Sequence, residues 1–285
     1  MMYNFLVAGN ANPRTLSAFL ARAFAVSPDH VDVSPEDELE ARNWDATVTC
    51  EYQVLTGDLT HALTVYGAAE VQSQPADDEL AESLARALDA PVLTPWGTLP
   101  WIRKVYTPRG TATFARVEQL EGDVAGFTVY GLESPMTEFP HARVEPFPEV
   151  ARDYPLPTPE TDRAFSSESG VTHSGTQSLL REWEKLCSRM AAHWPPSHWY
   201  SAEMYQEDLE NRSRLSDAIE FLTGEERERV GDALTAVDAR FRALTVDDGG
   251  QALTSALRTE KEDTRSLPWY WQRRPIKLPW EHTTN

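Results

Sequence analysis

Two histidines stand five positions apart in the segment His193-Trp194-Pro195-Pro196-Ser197-His198. Imidazole is a common ligand of Zn²⁺, but a zinc site also needs further ligands at suitable positions. The sequence places none of them at a telling spacing. We therefore predict that this segment is a turn whose aromatic side chains pack on the end of a helical domain, and we predict no metal site.

A third histidine, His61, lies three residues from Asp58 on an alternating strand pattern. A carboxylate that orients an imidazole is the arrangement of a general base, yet no serine or cysteine nucleophile is identifiable beside it. A hydrogen-bonded structural histidine is the favoured interpretation. Glu203 and Glu207, with Asp208 next, have i, i+4 spacing, which usually indicates a solvated helix face.

The local signatures of several common enzyme classes do not occur in the sequence. There is no glycine loop for phosphates, no GxSxG, no HExxH and no paired CxxC. The sequence therefore indicates no catalytic residue set and no cofactor. A hydrolase or transferase without a local signature stays open as an alternative, with an interdomain site built from residues such as His61, Glu207 and His198.

Acidic residues are the main candidates for binding. The chain has a net charge of −19, and residues 1–160 hold 24 acidic and 10 basic residues. Such a charge disfavours nucleic acids and anionic membranes and favours encounters with a basic protein. Solubility alone is the alternative explanation. The predicted contact residues in this half are Glu36, Asp37, Glu38, Glu40, Asp77 and Asp78.

The first acidic cluster also has a structural interpretation. Ser34 and Pro35 precede its acidic residues, and this order is typical of the first turn of a helix. Asp77 and Asp78 similarly suit a helix start, where negative charge is favourable. The same residues thus fit either a helix terminus or a contact patch, in which carboxylates would meet arginine bidentately.

The segment 267–280 is rich in tryptophan and arginine. Aromatic and cationic side chains suit stacking and cation–π contacts at a protein interface, so we predict Trp269, Trp271, Arg273 and Arg274 as further partner-binding residues. Alternatively, the segment closes the core of the helical domain, because exposed tryptophans favour aggregation.

The elements that must position these residues divide the chain in two. The first part is predicted to contain a strand at 3–8, a helix over 12–25, a hairpin over 44–67, a helix from 77, and strands at 91–93, 101–106, 111–120 and 127–132. This order matches the βαββαβ motif. It predicts an α+β fold: an N-terminal ferredoxin-like antiparallel sheet with two helices and appended strands.

The second part is predicted to be helical. Apolar stripes at helical spacing indicate three or four helices that form a bundle. Seven prolines between 135 and 159, followed by a polar stretch, indicate an extended connection. The predicted domains are an acidic α+β domain over 1–154, a Pro/Ser/Gly-rich linker over 155–177 and a helical bundle with a Trp/Arg-rich tail over 178–285.

The sequence also bears on the compartment. Its apolar runs are far shorter than the roughly 18 residues of a membrane span, and its two cysteines fall in different predicted domains. Disulfide-stapled secreted domains carry more cysteines. We therefore expect a cytoplasmic protein. The sequence leaves its oligomeric state open.

Two groups of short segments carry a resemblance. The second half contains Ala236-Val237-Asp238-Ala239-Arg240-Phe241 and the segment from Trp269 to Pro275, and the first half contains Arg42-Asn43-Trp44-Asp45 and Cys50-Glu51-Tyr52. In this combination the chain resembles uncharacterised actinobacterial proteins, some of which are similar to immunity proteins of polymorphic toxin systems. The resemblance implies a bacterial toxin-binding protein and carries over no catalytic residues.

The leading functional hypothesis is a non-enzymatic protein-binding factor of the immunity or antitoxin type, whose acidic surface covers a basic partner. The alternatives are the enzyme described above and a structural or regulatory subunit that uses the Trp/Arg tail.

Overall fold

The computed structural model describes residues 1–38, 40, 42–166, 174–258 and 267–281. The chain forms two compact units, Met1–Phe147 and Pro148–Asn285. This division lies seven residues before the predicted end of the first domain at 154. The residues that follow it form two short helices, and one of these, at 159–164, lies within the predicted linker.

The first unit contains a large sheet and two helices. The helices are α1 (Pro13–Ala23) and α2 (Asp77–Leu88). The strands are β1 (Met2–Val7), β2 (Val31–Pro35), β3 (Val48–Val54), β4 (Thr56–Gly57), β5 (His61–Gly67), β6 (Val92–Trp96), β7 (Leu99–Tyr106), β8 (Ala112–Gln119), β9 (Gly126–Leu132) and β10 (Arg143–Val144).

Within the described residues, the ten strands form one mixed sheet, which is larger than the predicted sheet. Its order is β10-β9-β8-β7-β6-β1-β5-β3-β2, and β4 pairs with β9 off this path. The pairs β2–β3, β4–β9 and β9–β10 are parallel, and the other pairs are antiparallel. Since β4 directly follows β3 yet pairs with β9, the sheet curls back on itself.

The β4–β9 pair depends on glycine. Gly126 lies opposite Thr56, and a Cβ at Gly126 would overlap the Thr56 hydroxyl oxygen. Gly57 has a φ of +90°, a backbone conformation that residues other than glycine rarely adopt. Two glycines therefore permit the contact that curls the sheet.

Alternation along the strands gives the sheet two separate cores. Tyr3, Phe5 and Val7 of β1 pack with α1 and α2, whereas Leu6 packs on the opposite face with residues of β6 to β9. Successive side chains of a strand point to opposite faces, so one strand serves both cores. The side chain of Asn12 caps α1 by accepting a hydrogen bond from the Arg14 amide at 2.9 Å, as its position predicts.

Two local predictions for this unit are wrong. Ser34 and Pro35 end β2 and do not begin a helical turn, because β2 pairs in parallel with β3. The predicted hairpin begins at Trp44, but β3 begins only at Val48, and Trp44 lies in a turn with 74% of its surface exposed.

The second unit is mainly helical. It contains α3 (Pro148–Asp153), α4 (Pro159–Ala164), α5 (Ser174–Ala191), α6 (Ala202–Glu220), α7 (Gly224–Leu244) and α8 (Gln251–Leu257), with a short antiparallel pair of β11 (Thr245–Asp247) and β12 (Arg273–Pro275). Helix α5 packs against α6 and α7. Their shared core includes Leu180, Trp183, Leu209, Val237 and Phe241.

A buried ion pair crosses this core. Arg212 of α6 donates to both carboxylate oxygens of Asp238 on α7, from Nε at 3.0 Å and from Nη2 at 2.8 Å. The indole Nε1 of Trp183 on α5 donates to the same carboxylate at 2.9 Å. One carboxylate therefore joins three helices.

Helix α4 begins with a cap supplied by another helix. The carboxylate of Glu184 on α5 accepts hydrogen bonds from the amides of Glu160 at 2.9 Å and Thr161 at 2.8 Å. These are unpaired donors of the first turn. Thr158, at the N-cap position, makes no capping bond with its own side chain. Glu184 is fully buried, so the cap is also a tertiary contact.

Candidate protein-binding surface

Four exposed acidic side chains follow the end of β2. They belong to Glu36, Asp37, Glu38 and Glu40, and we call the chain from 36 to 47 the acidic connection. It begins with a tight turn, in which the Glu38 amide donates to the Pro35 carbonyl at 3.3 Å. Within the part of the chain that the structure describes, none of the four carboxylates forms an ion pair. Their charge is therefore uncompensated.

Arg42 anchors the acidic connection to the sheet. Its Nη1 donates to Glu51 Oε1 of β3 at 2.6 Å, and its Nη2 donates to the Glu36 carbonyl at 3.0 Å. Only 11% of the Arg42 side chain is exposed. The Arg42 charge is thus paired with Glu51. Arg42 also holds the backbone at Glu36, but it does not neutralise the exposed carboxylates.

Asp32 supplies a second anchor. Its Oδ1 accepts the Asn43 amide at 3.1 Å, and its Oδ2 accepts the Ser34 hydroxyl at 2.8 Å. Asp32 and Glu51 lie on the face of β2 and β3 opposite to Val33 and Cys50, which face the α1 and α2 core. The acidic connection is therefore fastened to the sheet face that points away from the two helices.

Trp44 stands on the same connection. The Arg42 guanidinium carbon lies 5.9 Å from the centre of its ring, and most of the ring is exposed. Tryptophan is enriched among the residues that dominate binding energy at interfaces. Sequence alone does not place Trp44 on the surface, because the alternation from Trp44 to Tyr52 is typical of one continuous strand.

The other predicted acidic residues, Asp77 and Asp78, lie elsewhere in the first unit. Asp78 Oδ2 accepts a hydrogen bond from Lys104 Nζ of β7 at 2.7 Å. Burial opposes ionisation of Asp78, but the hydrogen bond and the charge of Lys104, together with the nearby Tyr106 hydroxyl, outweigh burial and lower the pKa of Asp78. Burial and the Asp78 charge raise the pKa of Asp77.

The structure does not bring these two aspartates together with the acidic connection. β7, which holds Asp78 through Lys104, is five positions from β2 in the sheet order. At about 4.8 Å per strand this is roughly 24 Å along the sheet. The six acidic residues thus form two separate groups, and among the described residues Asp78 alone of the six pairs with a basic side chain.

The four residues predicted in the tail lie in the second unit and are engaged within it. Trp269 and Trp271 pack against the helical core. Arg273 donates to the Thr245 hydroxyl at 2.8 Å, and Arg274 Nε lies 3.7 Å from Asp248. These contacts agree with the predicted alternative in which the tail closes the helical core. Partner binding by the tail stays a prediction.

Asp58 has a different histidine partner from the one considered in the sequence. Its Oδ2 lies 3.1 Å from Nε2 of His141 and accepts the Thr128 hydroxyl and the Val129 amide, each at 2.8 Å. Burial opposes its ionisation, but these bonds outweigh burial and lower its pKa. His61 instead bonds through Nδ1 to the Gly9 carbonyl.

The remaining candidates of the sequence analysis do not converge on a shared ligand. His198 Nδ1 bonds to the backbone carbonyl of His193 at 2.7 Å, which engages one of its two ring nitrogens. Glu203 and Glu207 are both exposed, and Glu207 also pairs with Arg152 of α3. Across the described ranges, no group of three or more His, Cys, Asp or Glu side chains is placed to hold a metal ion.

Asp208, the neighbour of Glu207, is buried in a polar cluster of the second unit. Its carboxylate accepts hydrogen bonds from Arg152 Nη1 at 2.8 Å and from the Tyr200 hydroxyl at 2.6 Å. Burial raises its pKa to about 6, although Arg152, Tyr200 and Arg189 oppose this shift. The residue was expected on a solvated face, and the expectation is wrong because Tyr200 and α3 cover it.

No helix among the described residues has the length and apolar character needed to cross a membrane. No family model, curated protein or solved structure matches this chain.

Proposed function

We propose that this chain is a protein-binding factor of the immunity or antitoxin type, and that it uses the acidic connection against a basic surface of its partner. The observation that carries the proposal is the set of four exposed carboxylates without ion-pair partners in the described chain, held next to the anchored Arg42. Carboxylates that are not neutralised attract a basic partner over a distance and then bind its arginines directly.

The anchoring supports this proposal energetically. A mobile acidic loop would lose backbone conformational entropy on binding, at a cost of about 1–2 kcal/mol for each residue that becomes ordered. The bonds of Arg42 and Asp32 already fix the backbone of the connection at Glu36 and Asn43. Less ordering is then needed when the partner binds.

We also propose a more specific architecture for each of the two units. The order β6-β1-β5-β3 with antiparallel neighbours supports a ferredoxin-like arrangement in the first unit. The packing of α5 against α6 and α7 supports a helical bundle in the second unit. Since neither arrangement specifies an activity, the proposed function depends on the surface.

Affinity capture with two matched variants tests the proposal. The loop variant carries E36Q, D37N, E38Q and E40Q. The control variant carries E70Q, E118Q, E121Q and D123N, which remove the same charge from other exposed positions of the first unit. Captured proteins from the native host are identified by mass spectrometry at about 50 mM and about 300 mM salt, because screening weakens exposed charge pairs.

We expect the wild type and the control variant to retain the same basic protein at low salt, and the loop variant to lose it. Higher salt should release it from all three. Retention by the loop variant, an acidic partner, or no stable partner at low salt would each contradict the proposal.

A further inference from the structure

The sheet face that anchors the acidic connection continues across β3, β5 and β1 as an exposed surface. Met2 pairs with Tyr66 across β1 and β5, and Tyr66 pairs with Thr49 across β5 and β3. In the next row Asn4 pairs with Thr64, which pairs with Glu51. We call Met2, Asn4, Thr49, Thr64 and Tyr66 the open face.

Three of the five residues of the open face are exposed, and Thr49 and Thr64 are half-buried. Met2 is 62% exposed and Tyr66 is 49% exposed. Their strand neighbours Tyr3 and Val65 point to the other side and are buried against the α1 and α2 core. Leu6, two residues beyond Asn4, is buried in the core of the curled part of the sheet. The curl therefore covers one end of this face and leaves the other end in solvent.

The chemistry of the open face suits a protein segment. Tyrosine and methionine are enriched in the centres of protein interfaces, and here they are cross-strand neighbours. Asn4 and Thr64 add amide and hydroxyl groups, and they bond to each other only at a long 3.4 Å. An apolar side chain of a partner would find contact area on Met2 and Tyr66, with polar groups beside it.

The charges at the border of this face favour a partner segment that carries positive charge. Glu51 ends one of its rows, and the acidic connection is fastened there through Arg42. The Arg42 guanidinium is thus already paired with Glu51, while within the described chain the four carboxylates of the connection are not paired. A second copy of the chain would bring like charges together, and nucleic acid would be repelled.

We infer that the open face is the docking floor for an arginine- or lysine-rich protein segment, which places an apolar residue on Met2 and Tyr66 and its cations on the acidic connection. This inference rests on the proposed function and deepens it, because it names the form of the partner segment. It also assigns binding energy to Tyr66, a residue outside the acidic cluster.

A peptide titration tests this inference directly. The probe is the synthetic peptide acetyl-Arg-Leu-Arg-Leu-Arg-Leu-Arg-amide, and the readout is the backbone amide spectrum of the isotope-labelled full chain. We expect shifts at the open face and at 36–40, and none with the matching glutamate peptide. Shifts located elsewhere would overturn the inference, as would equal shifts with a single-stranded DNA probe or concentration-dependent shifts at this face without any peptide.

Two variants then distinguish binding at the open face from binding at the acidic connection. Truncating a tyrosine at an interface centre costs more than about 1 kcal/mol, so Tyr66→Ala should weaken peptide binding at least about fivefold. Tyr130→Ala removes another exposed strand tyrosine and should leave binding unchanged. If the loop variant loses the peptide and Tyr66→Ala binds normally, the docking floor is wrong and the proposed function stands. If both bind normally, both fail.

Discussion

Arg42 bonds to Glu51 across the base of the acidic connection, with Nη1 2.6 Å from Oε1. Arg42 is a basic residue within an acidic segment, but it does not neutralise the exposed carboxylates, because its guanidinium is directed to Glu51 of β3. Its Nε is buried and has no hydrogen-bond partner among the described residues. Because Nη1 binds Glu51 and Nη2 binds the Glu36 carbonyl, Arg42 positions the connection on the sheet.

Replacing Arg42 by alanine should loosen the acidic connection while the sheet stays folded. The variant loses the bond to Glu51 and the bond to the Glu36 carbonyl, and each such bond contributes about 1 kcal/mol. Hydrogen exchange at amides 36–38 and 42–47 should accelerate by up to about thirtyfold, the factor that corresponds to about 2 kcal/mol. Arg14→Ala, at an exposed position of α1, is the control and should change nothing. Unchanged exchange in Arg42→Ala would show that the anchor is unimportant.

Glu184→Gln should destabilise the second unit. The glutamine keeps one acceptor oxygen, but its amide group would face the Glu160 or Thr161 amide donor. Loss of a charged cap bond within a buried site costs about 1.5–3 kcal/mol. Urea denaturation followed by tryptophan fluorescence measures the change. Glu182→Gln, which removes a more exposed partner of Lys185, should cost less than about 0.5 kcal/mol, and an equal loss in both variants would refute the capping role.

Asp238→Asn should be among the most damaging single changes in the helical core. It leaves Arg212 buried beside a neutral side chain, and breaking a buried pair costs about 3–5 kcal/mol. The double variant Arg212→Met with Asp238→Asn should lose less than the sum of the single variants, because no charge is left unpaired. Strict additivity in the same denaturation assay would contradict the pairing. Arg214→Met, exposed on α6, is the matched control.

Asp208 should make stability depend on pH in a direction opposite to that of an ordinary ion-paired carboxylate. Burial raises its pKa to about 6 from an ordinary 3.8, so the folded state keeps its proton to higher pH than the unfolded state. This contribution to the free energy of unfolding is then fully present below pH 4 and declines up to about pH 6. A shift of about two pKa units corresponds to about 3 kcal/mol.

Comparison of variants isolates this contribution from other titrating groups. The difference in unfolding free energy between wild type and Asp208→Asn should change by about 3 kcal/mol from pH 4 to pH 7. Asp217→Asn, an exposed change on the same helix, is the matched control for the substitution itself. A constant difference for Asp208→Asn would mean that its pKa is not raised.

Local patterns predicted much of the first unit. Helix α1, with its Asn12 cap, and the β3 and β5 hairpin were predicted because periodicity and turn residues are properties of short segments. Strand β2 was not predicted. It pairs with β3, which follows only after the acidic connection, and the local sequence at Ser34 and Pro35 does not indicate this pairing. The size of the sheet was missed for the same reason, since the β4–β9 pair joins segments far apart in sequence.

The candidate site was predicted in part. The exposed positions of Glu36, Asp37, Glu38 and Glu40 follow from composition. The anchor that holds their segment does not, because it needs the register of β2 and β3. The contact of Asp58 with His141 spans 83 residues and has no local pattern. Asp208 has the spacing of a surface carboxylate, and only the packing of Tyr200 and α3 makes it a buried one.

The cap that Glu184 provides for α4 determines where the chain can be cut. Glu184, Ser188 and Arg189 of α5 bind backbone groups of residues 151 to 161. A fragment that began at 178 would keep a buried carboxylate and a buried guanidinium but lose the groups they bind. Expression of the helical part by itself should therefore begin at Pro148, where the unit begins.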